Sequence, residues 1–506
     1  MTIVGWAAAM ATTFVLTPFL VSTLGDARYG IWSLIGAVAF NAHLLLLGVP
    51  LVVVRFLAKA RFDGDEAEAR AIYSTALAYL SAAGLVMMAA GLAVAAAVEA
   101  GLAFPETGNR EIAVAIAIMS ALVAMEFPAA AAGGAIGSVA RHDVSSMIMV
   151  FRSVARLAAA FLVLTRYPRL DVLAAAALAA DLLTHAAMFF WAHRLAPHAR
   201  FERAAVSLKT LWRALNSGLF TFLSNFANKS LFYFDLMIIG MLMTPVAVAY
   251  YSVVVQLIAR VQTVVVMAFG VLVPVFAQYA SEPKSEALKT RFLFTLRVAT
   301  CISAFVMGGL AAFGGPFLAA WIAPEYASAA PAILILAAAM TVELAQTPMT
   351  RLAVALDSHR VMSTGDLVVG LVNLTLTFAL IGPFGLTGVA IGTAIPLLVF
   401  GLFVRPAIIA SKTAVSTGEV FRAQIRVLAP ALALQAPAFL LVREIDPQGL
   451  LEVTGLAAAI YGVLGVAIVF CALPLSDIRQ LTAVLPARVR APLFAAAPVL
   501  RPRAAD

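Results

Sequence analysis

The sequence predicts an all-α polytopic membrane protein of about 14 transmembrane helices, with two pseudo-symmetric six-helix lobes and two further C-terminal helices. Three observations predict it. First, hydrophobic residues make up 63% of the 506 and charged residues only 12%, with a mean hydropathy of +1.00. A water-soluble domain cannot hide so much apolar surface, so a bilayer must solvate it. Second, the apolar runs reach the roughly 20 residues that a spanning helix needs and lack the alternation of strands, which argues against a β-barrel. Third, the text of the first half recurs, loosely, in the second.

Cutting the chain at its polar clusters gives candidate spans at 3–24, 31–57, 72–98, 112–138, 146–165, 171–193, 216–241, 248–276, 292–313, 329–352, 361–381, 386–404, 427–442 and 452–473. The first run opens at Ile3 without a basic flank and is expected to span, not to be cleaved. The hairpin after it, Thr23 to Leu34 (TLGDARYGIWSL), has a counterpart at Thr244 to Leu257 (TPVAVAYYSVVVQL). The stretch closing the second span, Val54 to Asp65, pairs with Pro274 to Ser285 at a similar offset. Six helices, an even number, separate the copies, so both halves share one orientation. The expected division is an N-terminal lobe at 1–194, a basic amphipathic linker at 195–215, a C-terminal lobe at 216–426, helices 13 and 14 within 427–473, and a basic tail at 474–506. In the linker, Leu208, Leu211, Trp212 and Leu215 recur at helical spacing, as for a helix lying on a leaflet; a solvated linker is the alternative. The tail, rich in Arg and Pro, is expected to be disordered or bound to the membrane surface. Pro18, Pro50, Pro128, Pro274, Pro348 and Pro396 interrupt spans, with Gly48 beside Pro50. Cys301 and Cys471 lie in apolar spans and are expected as small core residues.

A formal net charge of +8 invites a polyanion partner, but its placement argues against nucleic acid. Most Lys and Arg, Arg405 among them, fall in even-numbered loops and the tail. Only Arg28, Arg110, Arg166, Arg169 and Arg443 fall in odd-numbered loops. This is the positive-inside bias, and it puts both termini in the cytoplasm.

Chemistry is confined to charges inside the spans. Arg152 and Arg156 are four apart on the fifth span and share a face, with Arg156 ~15–18 Å from the cytoplasmic end. Lys229, with Asn225 one turn before it, and Arg260, with Gln256 one turn before it, are equally deep in spans seven and eight. Each buried charge costs about 2.5–3.5 kcal/mol on insertion scales, so these four must face water, acids or substrate. A phosphate group suits them, since Arg donates a planar fork and Lys a point charge; an internal ion pair is the alternative for Arg152 and Arg156. Arg55, Arg297 and Arg351 lie near span ends, where snorkelling explains them. The embedded acids are Glu126, Asp181, Asp235 and Glu343. Asp181 and His185 are placed to share a proton, and Gln346 lies one turn after Glu343. These five titratable residues are candidates for ion coupling, and neutralising an Arg is their commoner fate. Six scattered histidines form no metal-ligand pattern, and no GxxxxGK[ST], GxSxG or HExxH occurs. No catalytic residue, metal or cofactor is expected, and the chain is not expected to be an enzyme.

The stretch Leu24–Ala37 (LGDARYGIWSLIGA), followed by Val53–Asp65 (VVRFLAKARFDGD), resembles the Wzx-type bacterial polysaccharide biosynthesis proteins. These are lipid-linked oligosaccharide flippases of the multidrug/oligosaccharidyl-lipid/polysaccharide (MOP) exporter superfamily. The residues that carry the resemblance are Leu24, Gly25, Tyr29, Gly30, Ile31, Trp32, Gly48, Arg55 and Phe56. It implies an inner-membrane protein that moves an undecaprenyl-pyrophosphate-linked repeat unit to the outer leaflet by alternating access of two lobes arranged as a V around a polar cavity. Arg152, Arg156, Lys229 and Arg260, with Asn225 and Gln256, would hold the diphosphate, and a proton or sodium gradient would drive the cycle. A polysaccharide polymerase and glycosyltransferases would be its partners. Rival readings are a lipid II flippase and a MATE-like drug/cation antiporter, the latter disfavoured by a basic interior. A membrane glycosyltransferase is disfavoured by short outer loops. A twelve-helix facilitator would carry G-x-x-x-D-R-x-G-R, which the loop Lys59–Arg70 lacks.

Overall fold

The computed structural model describes residues 2–101, 109–279, 281–356 and 358–484, without the side chains of 2–9, 217–230, 359–360 and 483–484. It is 89% helix, with no strand among the described residues. Eleven described helical segments are long and apolar enough to cross a membrane, and two shorter apolar ones lie at Met10–Leu24 and Leu231–Leu242. The protein is a multi-pass membrane protein.

The helices run α1 (Thr2–Leu24), α2 (Asp26–Ala42), α3 (Val49–Asp63), α4 (Glu66–Glu99), α5 (Asn109–Ser138), α6 (His142–Leu164), α7 (Leu170–Leu195), α8 (Leu208–Leu242), α9 (Pro245–Ala268), α10 (Leu272–Ala277), α11 (Glu286–Trp321), α12 (Ala330–Ala345), α13 (Thr347–Ala355), α14 (His359–Val399), α15 (Arg405–Lys412), α16 (Thr417–Ile445), α17 (Leu450–Ala472) and α18 (Leu475–Val484). They divide into two compact units, Met1–Ser252 and Val253–Asp506. The division falls inside α9, beyond the linker at 195–215, because α8 packs on α2, α3 and α4.

In the first unit α5 is the hub, packed against α4, α7, α3, α6 and α2. Its small residues Ala131, Ala132 and Ala135 are fully buried and let Val53, Leu57 and Leu80 close over them. In membranes such close approach replaces the hydrophobic effect as the cohesive term. The YG signature is part of the same packing. Tyr29 and Ile31 are buried, and a Cβ on Gly30 would lie 1.8 Å from the Pro245 carbonyl oxygen at the start of α9. Only glycine permits that approach.

Two helices are broken beside prolines. Between α2 and α3 the chain makes a 3-10 turn at His43–Leu46, with Leu47 (φ 46°) and Gly48 (φ 75°) left-handed and Pro50 in the first turn of α3. Tyr79 Oη donates to the freed Leu45 carbonyl at 2.7 Å. Between α12 and α13 the break is at Gln346, with Pro348 in the first turn that follows. Longer α14 bends at Gly385 (φ 56°, ψ −138°) and ends in a π-helical turn, Phe400–Val404.

In the second unit α11 is the hub, against α12, α16 and α17. The start of the tail departs from expectation. Residues 475–484 form α18, with Asp477, Ile478 and Arg479 buried. Arg297 does not snorkel; its Nη2 donates to Asp477 Oδ1 at 2.8 Å, and that ion pair holds α18. Residues 485–506 lie outside the described residues. Cys301 is buried as expected, Cys471 is exposed on α17, and both are free thiols.

Candidate functional site

The site is built where α5, α6 and α7 pass one another at mid-length in the first unit. Asp181, on α7, is fully buried. Arg152 and Arg156 reach it from α6, one turn apart. Arg152 donates from Nε to Asp181 Oδ1 at 3.0 Å and from Nη2 to Oδ2 at 2.6 Å. Arg156 donates from Nε to Oδ1 at 2.8 Å and from Nη2 to Oδ2. Both carboxylate oxygens therefore accept from both guanidinium groups, each in fork geometry. Arg152 Nη2 also donates to Glu126 Oε1, on α5. The two cations that would repel on one face are joined by an acid from the facing helix.

The ladder continues to His43, in the broken turn after α2. Its Nε2 lies 3.2 Å from Glu126 Oε2. Its Nδ1 lies 3.0 Å from the Ala39 carbonyl and 3.2 Å from that of Phe40. Carbonyls only accept, so Nδ1 carries the hydrogen. The broken turn thus leaves carbonyls that fix the ring and aim its other nitrogen at Glu126. His43 was not among the residues the sequence singled out. The available signal was its place just before the Gly48–Pro50 break.

Asp181 spends its oxygens on arginine, not on His185. The buried His185 Nδ1 has no hydrogen-bond partner. Glu126, Asp181 and His185 bring ligand atoms within 4.8 Å of one another, but two guanidinium groups already supply the positive charge there. Two Arg against two acids make the ladder formally neutral before His43 is counted. About a third of each arginine side chain stays exposed, 32% for Arg152 and 38% for Arg156. Among the described residues no acceptor engages Nη1 of either. The arrangement can orient two planar cations and offer their outer nitrogens to an anion without leaving either charge unpaired when empty.

The other sequence candidates lie elsewhere. Asp235, on α8, is fully buried and accepts from Tyr251 Oη at 3.2 Å. Lys229 and Asn225 lie outside the described side chains. Gln256 and Arg260 are half-buried on α9, within the second unit. Glu343 belongs to a second charged knot. Arg405, counted in a loop by its sequence position, is 2% exposed. The π-helical turn carries it inward, where Nη1 donates to Glu343 Oε2 at 2.9 Å and to Gln346 Oε1 at 3.3 Å. Its Nη2 lies 3.7 Å from Asp366, and its guanidinium sits 5.0 Å from the Phe400 ring centre. Gln346, at the proline break, donates in turn to the Gly401 carbonyl. Both proline breaks therefore present a polar side chain to a charged cluster.

The family model for polysaccharide biosynthesis proteins matches residues 2–280. The chain belongs to that family. The uncharacterized membrane protein EpsK of Bacillus subtilis (strain 168) is 24% identical over 397 residues, 77% of this chain and 78% of EpsK. Among solved structures, an inward-facing multidrug resistance MATE family transporter of the MOP superfamily aligns with a TM-score of 0.65 at 15% identity, over 81% of this chain and 98% of its own. The lipid II flippase MurJ, in an inward closed conformation, aligns with a TM-score of 0.65 at 12% identity, over 92% of this chain and 98% of its own. This chain shares their fold. Of the signature residues, Leu24, Tyr29, Gly30, Ile31 and Gly48 are buried in packing and Gly25 and Arg55 are exposed, while the charged ladder lies outside the signature.

Proposed function

We propose that this protein is a flippase for polyprenyl-diphosphate-linked glycans, undecaprenyl-linked repeat units of a surface polysaccharide being the substrate. The family match and the shared fold support a flippase. The single observation that carries the substrate class is the Arg152–Arg156 pair, oriented by Asp181 at mid-helix with neither Nη1 engaged among the described residues. A diphosphate would take those nitrogens while the polyprenyl tail stays in lipid, and Asp181 and Glu126 would keep the empty site from being an uncompensated charge in the bilayer. Lys229 and Arg260, with Asn225 and Gln256, are proposed as further contacts to the same headgroup. The chain would cross the inner membrane fourteen times with both termini cytoplasmic, as two six-helix lobes and two added helices that alternate access. A proton or sodium gradient would supply the drive through Glu126, Asp181, His185, Asp235 or Glu343. The polymerase and glycosyltransferases of the same polysaccharide would be its partners.

The test is surface polysaccharide output in cells carrying Arg152→Gln/Arg156→Gln at wild-type membrane abundance. Output should fall at least tenfold. Wild-type output from that variant removes the diphosphate role of the pair. A lipid II flippase is the rival that the MurJ fold brings; deletion would then stop growth, whereas loss of a polysaccharide flippase changes the cell surface.

A further inference from the structure

A cavity of about 750 Å³ opens beside the first turns of α8, lined by Glu68 of α4 and by Lys209, Thr210, Arg213 and Asn216 of α8. It lies wholly within the first unit and away from the charged ladder. The segment before it is tied to α4. The Glu202 amide donates to Ser74 Oγ at 2.8 Å, and the Ser207 amide donates to Thr75 Oγ1 at 3.1 Å. Ser207 then caps α8, accepting from the Thr210 amide at 3.4 Å. The wall of the cavity is thus fixed, not a passing shape of a loose linker.

Its depth follows from helix length. α8 has 35 residues and is about 52 Å long, against a hydrocarbon core of about 30 Å. With its apolar end at Leu231–Leu242 in the core, α8 is longer than the core is thick, so the turns from Leu208 to Asn216 lie outside the hydrocarbon. On those turns Leu208 and Trp212 are 75% and 63% exposed and one turn apart. Lys209 and Arg213 form the adjoining stripe. Phe62, at the end of α3, is 90% exposed. Arg213 is paired with Glu68 and lies 5.3 Å from the Phe56 ring centre. Lys209 has no carboxylate partner among the described residues. The lining therefore keeps one uncompensated cation, with a hydroxyl and a carboxamide beside it, next to an apolar stripe.

We propose that this cavity binds the headgroup of an anionic phospholipid of the adjacent leaflet, a monoanionic phosphodiester held by Lys209, Thr210 and Asn216, with Leu208 and Trp212 against the membrane surface beside it. The apolar stripe argues for a lipid over a free phosphate. The single spare charge argues for a monoanion over a diphosphate. Such a lipid would fasten the start of α8, the helix that also carries Asp235 and Lys229. This inference does not depend on what the protein transports.

The experiment is native mass spectrometry of the purified full-length protein with phosphatidylglycerol, phosphatidylcholine and undecaprenyl diphosphate as probes. Wild type should retain phosphatidylglycerol over phosphatidylcholine. Lys209→Gln should weaken phosphatidylglycerol about fivefold, as expected for one cation at a membrane surface, and Lys209→Glu should weaken it further. Lys209 and Arg203 are exposed, so these variants keep the fold, and Arg203→Gln, outside the cavity, should match wild type. Equal retention of phosphatidylcholine, or Lys209→Glu at wild-type occupancy, overturns the proposal. So does displacement of phosphatidylglycerol by equimolar undecaprenyl diphosphate, which would assign the cavity to the substrate.

Discussion

Replacing Asp181 by Asn should destabilise the first unit more than any other single change at the ladder. Asp181 accepts four hydrogen bonds, two from each arginine. Arg152 would keep Glu126 as a partner, but Arg156 has Asp181 alone among the described residues. An amide offers one acceptor oxygen and no charge, so Asn leaves Arg156 as a cation at mid-helix without compensation. Removing one partner of a buried pair costs about 3–5 kcal/mol. About a third of the Arg156 side chain is exposed, which places the cost at the lower end, about 3 kcal/mol. For a unit of this size each kcal/mol shifts the melting temperature by about 2–4 °C, so Asp181→Asn should melt roughly 6–12 °C below wild type. The assay is fluorescence-detected size-exclusion after heating in detergent. A second variant isolates the cause: Asp181→Asn/Arg156→Met removes the orphaned cation and should recover at least half of the loss. Glu126→Gln should cost less than Asp181→Asn, because Arg152 keeps its fork on Asp181. A melting temperature for Asp181→Asn within 2 °C of wild type, or no recovery in the double variant, would refute the claim that the acid compensates the pair.

Gly30→Leu should abolish folded protein in the membrane, and Gly30→Ala should lower its yield, because even a methyl group meets the Pro245 carbonyl at 1.8 Å; immunoblotting of membranes reads this out, and normal yield of both counts against the packing role. Arg405→Met should lower the melting temperature of the second unit through loss of the Glu343 and Gln346 contacts, and Arg405→Met/Glu343→Gln should be milder than the sum. Asp477→Asn should expose α18, seen as faster proteolysis after residue 474 in everted vesicles, with Arg297→Met/Asp477→Asn less affected than Asp477→Asn alone. His43→Gln should melt close to wild type, since the Ala39 and Phe40 carbonyls and Glu126 each lose only a hydrogen-bond partner; a drop as large as that of Asp181→Asn would show that His43 compensates Glu126 electrostatically.

Much of the fold was legible because the bilayer makes it so. A backbone in hydrocarbon must satisfy its own hydrogen bonds, so length and hydropathy alone indicated a helical membrane protein. The mid-helix place of Arg152 and Arg156 followed from the span boundaries, and their shared face from spacing. The partners did not follow, because an ion pair across helices depends on rotation and register that apolar text does not encode. Asp181 and His185 have helical spacing for each other, yet Asp181 turned to the arginines, since two forks outbid one imidazole for a buried carboxylate. Arg405 read as a loop residue by position, and only the π-helical turn revealed where its side chain goes. The tail read as disordered or surface-bound by composition, and composition gave no sign that Asp477, at its described start, has a partner 180 residues away in Arg297.

By itself the sequence determined the solvent, the secondary structure and which charges would be expensive, because these depend on composition and on distance along one chain. Only the tertiary structure decided which acid offsets which arginine, that His43 stands at the end of the ladder, and that the signature glycine at position 30 is a point of backbone contact. Those outcomes depend on how neighbouring helices are rotated, and that is set by close packing among residues far apart in the chain.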